Sequence, residues 1–139
     1  MTDLARPAER VPSAPVLNPE AQAWFDASAE GRLVVRRCAA CGLAHHYPRS
    51  VCPHCFSDAT VWIESAGRGE IYSFSTLLRG TAHPYCIAYV TLDEGVTLLT
   101  NIVDCDFSTL AIGRRVALRF TTAEGGARVA MFTPEDTAR

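Results

Sequence analysis

The chain has 139 residues, enough for one ordinary domain or two very small ones. With 48% hydrophobic residues and a net charge of −2, it is too apolar for wholesale disorder. That charge balance does not favour a strong polyanion binder, whose affinity rests on basic residues neutralising phosphates.

No apolar run approaches the roughly 18 residues of a membrane span. Residues 1–16 carry Arg6, Arg10 and three prolines, with none of the apolar core of a secretory signal. A cytoplasmic protein is expected, and in a reducing compartment six cysteines point to metal or redox chemistry before disulfides.

In chain order, residues 1–17 are rich in Pro, Ala and Ser and read as a flexible leader. A helix follows within 18–32. Asn18 is its cap, Pro19 suits the first position, Glu20 faces the positive end of the dipole, and Gly31 ends it. Leu33 to Arg37 reads as a strand entering the first cysteine pair. Beyond residue 61 the texture is β-rich. Gly69 to Leu78 alternates, which would put Tyr72, Phe74, Thr76 and Leu78 on one face. Cys86–Leu92 and Val96–Val103 flank Asp93-Glu94-Gly95, a hairpin connection with Gly at the left-handed position. A short helical element around Phe107 to Leu110 precedes Arg115–Thr121, where Val116, Leu118 and Phe120 share a face. A Gly125-Gly126 turn then leads to Arg128–Phe132. Five strands in this order, with a helical element between the third and fourth, suggest an OB-type barrel.

Cys38-Ala-Ala-Cys41-Gly and, ten residues on, Cys52-Pro-His-Cys55 form two C-x-x-C knuckles at zinc-ribbon separation. Zinc takes four such thiolates in a tetrahedron, and with all four positions filled the metal is structural, with no open site for water or substrate. One zinc per chain is expected. The competing reading makes Cys52-Pro53-His54-Cys55 a thiol–disulfide site. That chemistry needs a helix opening at the second cysteine, where this sequence has a turn and a strand, and it leaves Cys38 and Cys41 unexplained. His45, His46 and His54 are read as polar residues outside the metal set. Cys86 and Cys105, in or beside strands, are read as small buried hydrophobes.

Two further clusters have two readings each. Arg32, Arg36, Arg37 and Arg49 make either a solvated surface or a basic patch for a phosphate-bearing ligand or an acidic partner. Trp24 and Phe25 either pack inside the chain or form a helix-borne anchor for another protein.

With these elements laid out, residues 18–134 resemble the DUF35 family. The resemblance runs through Gly31-Arg-Leu-Val-Val-Arg-Arg-Cys38-Ala-Ala-Cys41-Gly42, Tyr47-Pro48-Arg49, and the second knuckle. It continues through Gly67-Arg68-Gly69-Glu70-Ile71-Tyr72-Ser73, Pro84-Tyr85-Cys86-Ile87-Ala88-Tyr89-Val90, Leu92-Asp93-Glu94-Gly95-Val96 and Ile112-Gly113-Arg114-Arg115-Val116. Phe56 departs from it, since the family usually continues with Gly there. The resemblance implies a mainly β chain: N-terminal helix, rubredoxin-like zinc ribbon over 33–62, five-stranded OB fold over 63–134, and a tail over 135–139. It also implies a non-catalytic accessory or scaffold subunit in a hetero-oligomer with a thiolase-like or ketoacyl-synthase-like enzyme that processes acyl-CoA. Trp24, Phe25, Arg36, Arg37 and Arg49 are the candidates for contact with that partner or with CoA phosphate. No Ser-His-Asp set, open metal or spaced carboxylate pair suggests catalysis, and Asp93 and Glu94 read as turn residues. The alternatives are a stand-alone acyl-CoA-binding protein and a single-stranded nucleic acid binder. The latter would need arginines interleaved with Tyr72, Phe74, Tyr85 and Tyr89.

Overall fold

The computed structural model describes residues 10–135. The leader before Arg10 and the tail after Glu135 lie outside the described residues. Within 10–17 there is no regular structure, but the segment is tied down twice. The Arg10 guanidinium lies 4.4 Å from the centre of the Tyr85 ring, and the Pro12 carbonyl accepts the Glu124 N–H at 2.9 Å.

Asn18 caps as its side chain predicts, accepting the Ala21 N–H at 2.9 Å. Pro19–Ala21 form a turn of 3-10 helix that leads into α1, Gln22–Ala29. Gly31, at φ 80°, supplies the left-handed exit. A three-stranded antiparallel sheet follows: β1 (Val34–Cys38), β2 (Ala44–His45) and β3 (Thr60–Glu64), with β1 central.

The remaining strands close a barrel in the order β4-β5-β6-β8-β7: β4 (Arg68–Leu77), β5 (Tyr85–Leu92), β6 (Thr97–Ile102), β7 (Arg115–Thr122) and β8 (Arg128–Pro134). A 3-10 turn at Phe107–Thr109 separates β6 from β7. Closure comes from a parallel contact, Ile102 opposite Phe132. The fold is the expected OB arrangement. Ile71, Val90, Leu92, Ile102, Val116 and Phe132 fill the barrel, and the same core continues into Leu33 and Val35 beside and on β1. Ribbon and barrel therefore share one apolar interior.

One facing expectation is corrected. Tyr72 is 66% exposed, whereas Phe74 and Leu78 pack on the core. The register shifts between Ile71 and Ser73 against β5, so Tyr72 is the extra residue of a β-bulge. The inward set changes there from Gly69 and Ile71 to Phe74 and Thr76, because one added residue reverses the two-residue period. Gly69 has its own reason to be glycine. A Cβ there would stand 2.3 Å from the Thr91 carbonyl oxygen, closer than any side chain can approach.

The Asp93–Gly95 hairpin forms with Gly95 at φ 90°. Its acids do more than turn the chain. Asp93 accepts two bonds from Arg115 at 2.9 and 3.0 Å. Glu94 accepts from the Ser65 hydroxyl at 2.6 Å and the Ala66 N–H at 2.9 Å, clamping the link between ribbon and barrel.

Candidate metal centre

Each C-x-x-C segment folds into the same knuckle. The Cys38 N–H donates to the Leu43 carbonyl at 2.9 Å and the Gly42 N–H returns to the Cys38 carbonyl at 2.8 Å. In the second knuckle, the Cys52 N–H donates to Ser57 at 2.8 Å and the Phe56 N–H returns to Cys52 at 2.9 Å. Backbone amides also point at sulfur, from Cys41 to Cys38 Sγ at 3.4 Å and from His54 to Cys52 Sγ at 3.3 Å. The Cys41 amide is the main cause that draws the Cys38 thiol down to about 6. Partial desolvation and the neighbouring sulfurs raise the thiols of Cys41 and Cys55, so the four sulfurs share their protons until a metal replaces them.

The two knuckles face each other, and all four sulfurs lie within 4.8 Å of one another. Cys38 Sγ is 3.5 Å from Cys55 Sγ and Cys41 Sγ is 3.7 Å from Cys52 Sγ. Four thiolates at ~2.3 Å from a tetrahedral zinc are ~3.8 Å apart, so the donor set fits the ion. All six cysteines are free thiols. Cys38 and Cys52 are buried, Cys41 and Cys55 at the surface. This chain holds one structural zinc.

The knuckles differ at one position. Gly42 sits at φ 80° and its counterpart Phe56 at φ 65°, a left-handed conformation that costs a side-chain residue roughly 1–2 kcal/mol. The Phe56 ring is 79% exposed and so has little packing to lose. Phe56→Gly is expected to stabilise the chain by about 0.5–1 kcal/mol, the relief of strain less the entropy glycine adds to the unfolded chain. A raised denaturant midpoint at constant slope would be the sign, and a lowered one would show that the exposed ring is held by contacts.

The histidines stay outside the sulfur cluster. His45 is buried opposite Arg36 on β1. The His46 ring packs at a tilt against Trp24, centroids 5.6 Å apart, and burial pulls its pKa down to about 4, so it is neutral near pH 7. Trp24 is half-buried against the core, edge-on to Phe25 at 4.8 Å. Part of its ring packs between helix and ribbon.

Arg36 and Arg49 both lie near Glu20, but Arg32 and Arg37 do not join them in one patch. Arg36 and Arg37 are neighbours on β1 and so project to opposite faces. Arg36 stacks on Trp62 at 4.7 Å and donates to Thr60. Arg49 is exposed, near Glu20, whose carboxylate accepts the Ser50 N–H at 2.6 Å. That bond first, and then Arg49 and Arg36, hold the Glu20 carboxyl below its usual range. Arg32 pairs with Glu30 and Glu64 instead. Cys86 is fully buried, and burial raises its thiol to about 11, so it is an inert core residue.

Comparison with known proteins matches the same two units. Residues 25–61 match the family described as the ChsH2 rubredoxin-like zinc ribbon domain, and residues 62–121 that of the ChsH2 C-terminal OB-fold domain. A solved chain from the "Ltp2-ChsH2(DUF35) aldolase" superposes with a TM-score of 0.76 at 35% identity, covering 87% of this chain and 98% of that one. The chain belongs to the DUF35 family.

Among its relatives, a "DUF35 domain-containing scaffold protein" of Methanothermobacter thermautotrophicus is 30% identical over 70% of this chain and 77% of its own. A "Probable enoyl-CoA hydratase alpha subunit" of Thermomonospora curvata is 36% identical over 86% of this chain, which spans only 39% of that relative's length. The "Benzoylsuccinyl-CoA thiolase subunit BbsA" of Geobacter metallireducens is 32% identical over 48% of this chain and 47% of its own.

Proposed function

We propose that this DUF35 chain is a non-catalytic accessory subunit of a thiolase-like enzyme that processes acyl-CoA. The observation that carries the reading is the match of ribbon and barrel together, over 98% of its length, to the DUF35 component of a two-component aldolase. A relative named as a thiolase subunit and another named as a scaffold support it. The chemistry of the chain agrees. Its four-thiolate set leaves zinc no open position for water or substrate.

The barrel interior is occupied by its own side chains, Phe132 and Ile102 among them, which argues against a stand-alone acyl-CoA carrier. Nucleic acid binding lacks its cations. The stretches 72–77, 85–91 and 97–101, which include Tyr72 and Tyr89, contain no Lys or Arg. Within the assembly we place contact to CoA phosphates at exposed Arg49, with Arg36 nearby. Four cysteines holding a zinc rather than pairing in disulfides suit a reducing compartment, and we place the chain in the cytoplasm. No helix among the described residues is long and apolar enough to cross a membrane.

The test is turnover. The isolated chain should neither cleave, condense nor hydrate acyl-CoA, and it should co-purify with a thiolase-like enzyme of the same organism. If that enzyme is equally soluble and active without the chain, the reading fails.

A further inference from the structure

We propose that the outer face of β4, β5 and β6 is the surface that docks the partner enzyme, and that a groove in it receives an apolar side chain of that enzyme. The inference rests on the accessory-subunit reading and adds to it a location and a chemistry.

The face begins at the bulge. From there Ser73 and Ser75 point outward on β4, opposite Tyr89 and Ile87 on β5, and Tyr89 stands opposite Leu99 on β6. Tyr72, Ile87, Tyr89 and Leu99 are all exposed, Leu99 at 60%. Residues 72–77, 85–91 and 97–101 contain no Asp, Glu, Lys or Arg, in a chain in which 20% of residues are charged. A sheet face left to water carries polar and charged outward positions along each strand. Here the charges stand only at the ends. Arg68 and Glu70 precede the bulge, and Arg10 covers Tyr85 at the far end. An aromatic, charge-free centre inside a charged rim is the anatomy of a protein interface core.

Charge decides the occupant. A phosphate backbone or an anionic lipid surface would find no cation on the centre of this face, so the complement is an uncharged protein surface. Between Ser73, Ser75, Ile87, Tyr89 and Leu99 the face sinks into a groove of about 160 Å³, floored by Phe74 and Ala88. That is room for one large apolar side chain, the form that interface hot spots take. A partner with a protruding apolar residue fills it.

The experiment compares Leu99→Glu with Ile112→Glu, an exposed apolar position outside the face. Both are measured for zinc content, Tm and affinity for the thiolase-like enzyme. Leu99→Glu should weaken the complex roughly a hundredfold or more, because it buries an unpaired charge at the interface core, with zinc and Tm unchanged. Ile112→Glu should bind as wild type does. If the wild-type complex forms and Leu99→Glu binds equally well, this inference falls and the accessory-subunit reading stands. If the wild-type chain forms no complex, both fall. Three further results overturn the location: self-association in sedimentation that Leu99→Glu abolishes, oligo-dT binding that it abolishes, or a large loss of Tm in the free variant, which would mean that the chain covers this face itself.

Discussion

Cys52→Ser is expected to leave the purified chain with well under one zinc and to lower its stability more than any single packing change. Cys52 is fully buried, and its sulfur lies 3.7 Å from Cys41 Sγ while accepting the His54 N–H. Serine offers a neutral, harder oxygen where zinc needs a thiolate, so one corner of the tetrahedron is lost. Structural zinc contributes about 10–16 kcal/mol of apparent binding free energy in small zinc domains, and that energy is folding energy. The loss should reach beyond the ribbon, because Leu33 and Val35 belong to the same core as the barrel. Metal analysis and a thermal melt of the variant, beside the wild type treated with a strong chelator, make the measurement. A metal-free chain that melts at the wild-type temperature would refute the structural role of the ion.

Phe132→Ala should cost about 3–5 kcal/mol, the range for a deleted core phenylalanine. Phe132 is fully buried and the largest such side chain among the described residues. It also sits at the closing seam of the barrel, opposite Leu118 on β7 and Ile102 on β6, with its carbonyl accepting the Val103 N–H at 2.9 Å. A domain typically has about 5–15 kcal/mol in all, so the variant should lie near the edge of folding. Its Tm should fall by roughly 10–20 °C. Denaturant unfolding gives the value, and a loss below about 1 kcal/mol would mean that the seam repacks around the gap.

What the sequence disclosed and what it withheld divide along physical lines. The metal site was legible because its chemistry is local: two short loops with two thiols each. The helix start was legible for the same reason, since Asn18 and the Ala21 amide are three residues apart. The barrel followed from alternation and turn residues. The outward turn of Tyr72 was not legible, because the bulge is a property of the pairing of β4 with β5. Nor was the separation of Arg36 from Arg37 seen in a reading that grouped arginines by proximity. The clamp made by Glu94 joins residues 28 and 29 positions apart, and no pattern within either segment announces it. On β7, Val116 is fully buried, while Leu118 and Phe120 of the same face are only partly so. Phe120 lies under the Arg128 guanidinium at 4.9 Å, where a cation replaces part of the expected apolar cover.

The helix at the front of the chain has a consequence for how the protein is made. α1 lies against β8 as well as β1, and β8 is the last strand of the barrel. A ribosome delivers Trp24 more than a hundred residues before it delivers Phe132. At the ~5–20 residues per second of translation, the nascent chain spends several seconds or more with its helix complete and part of its docking surface not yet synthesised.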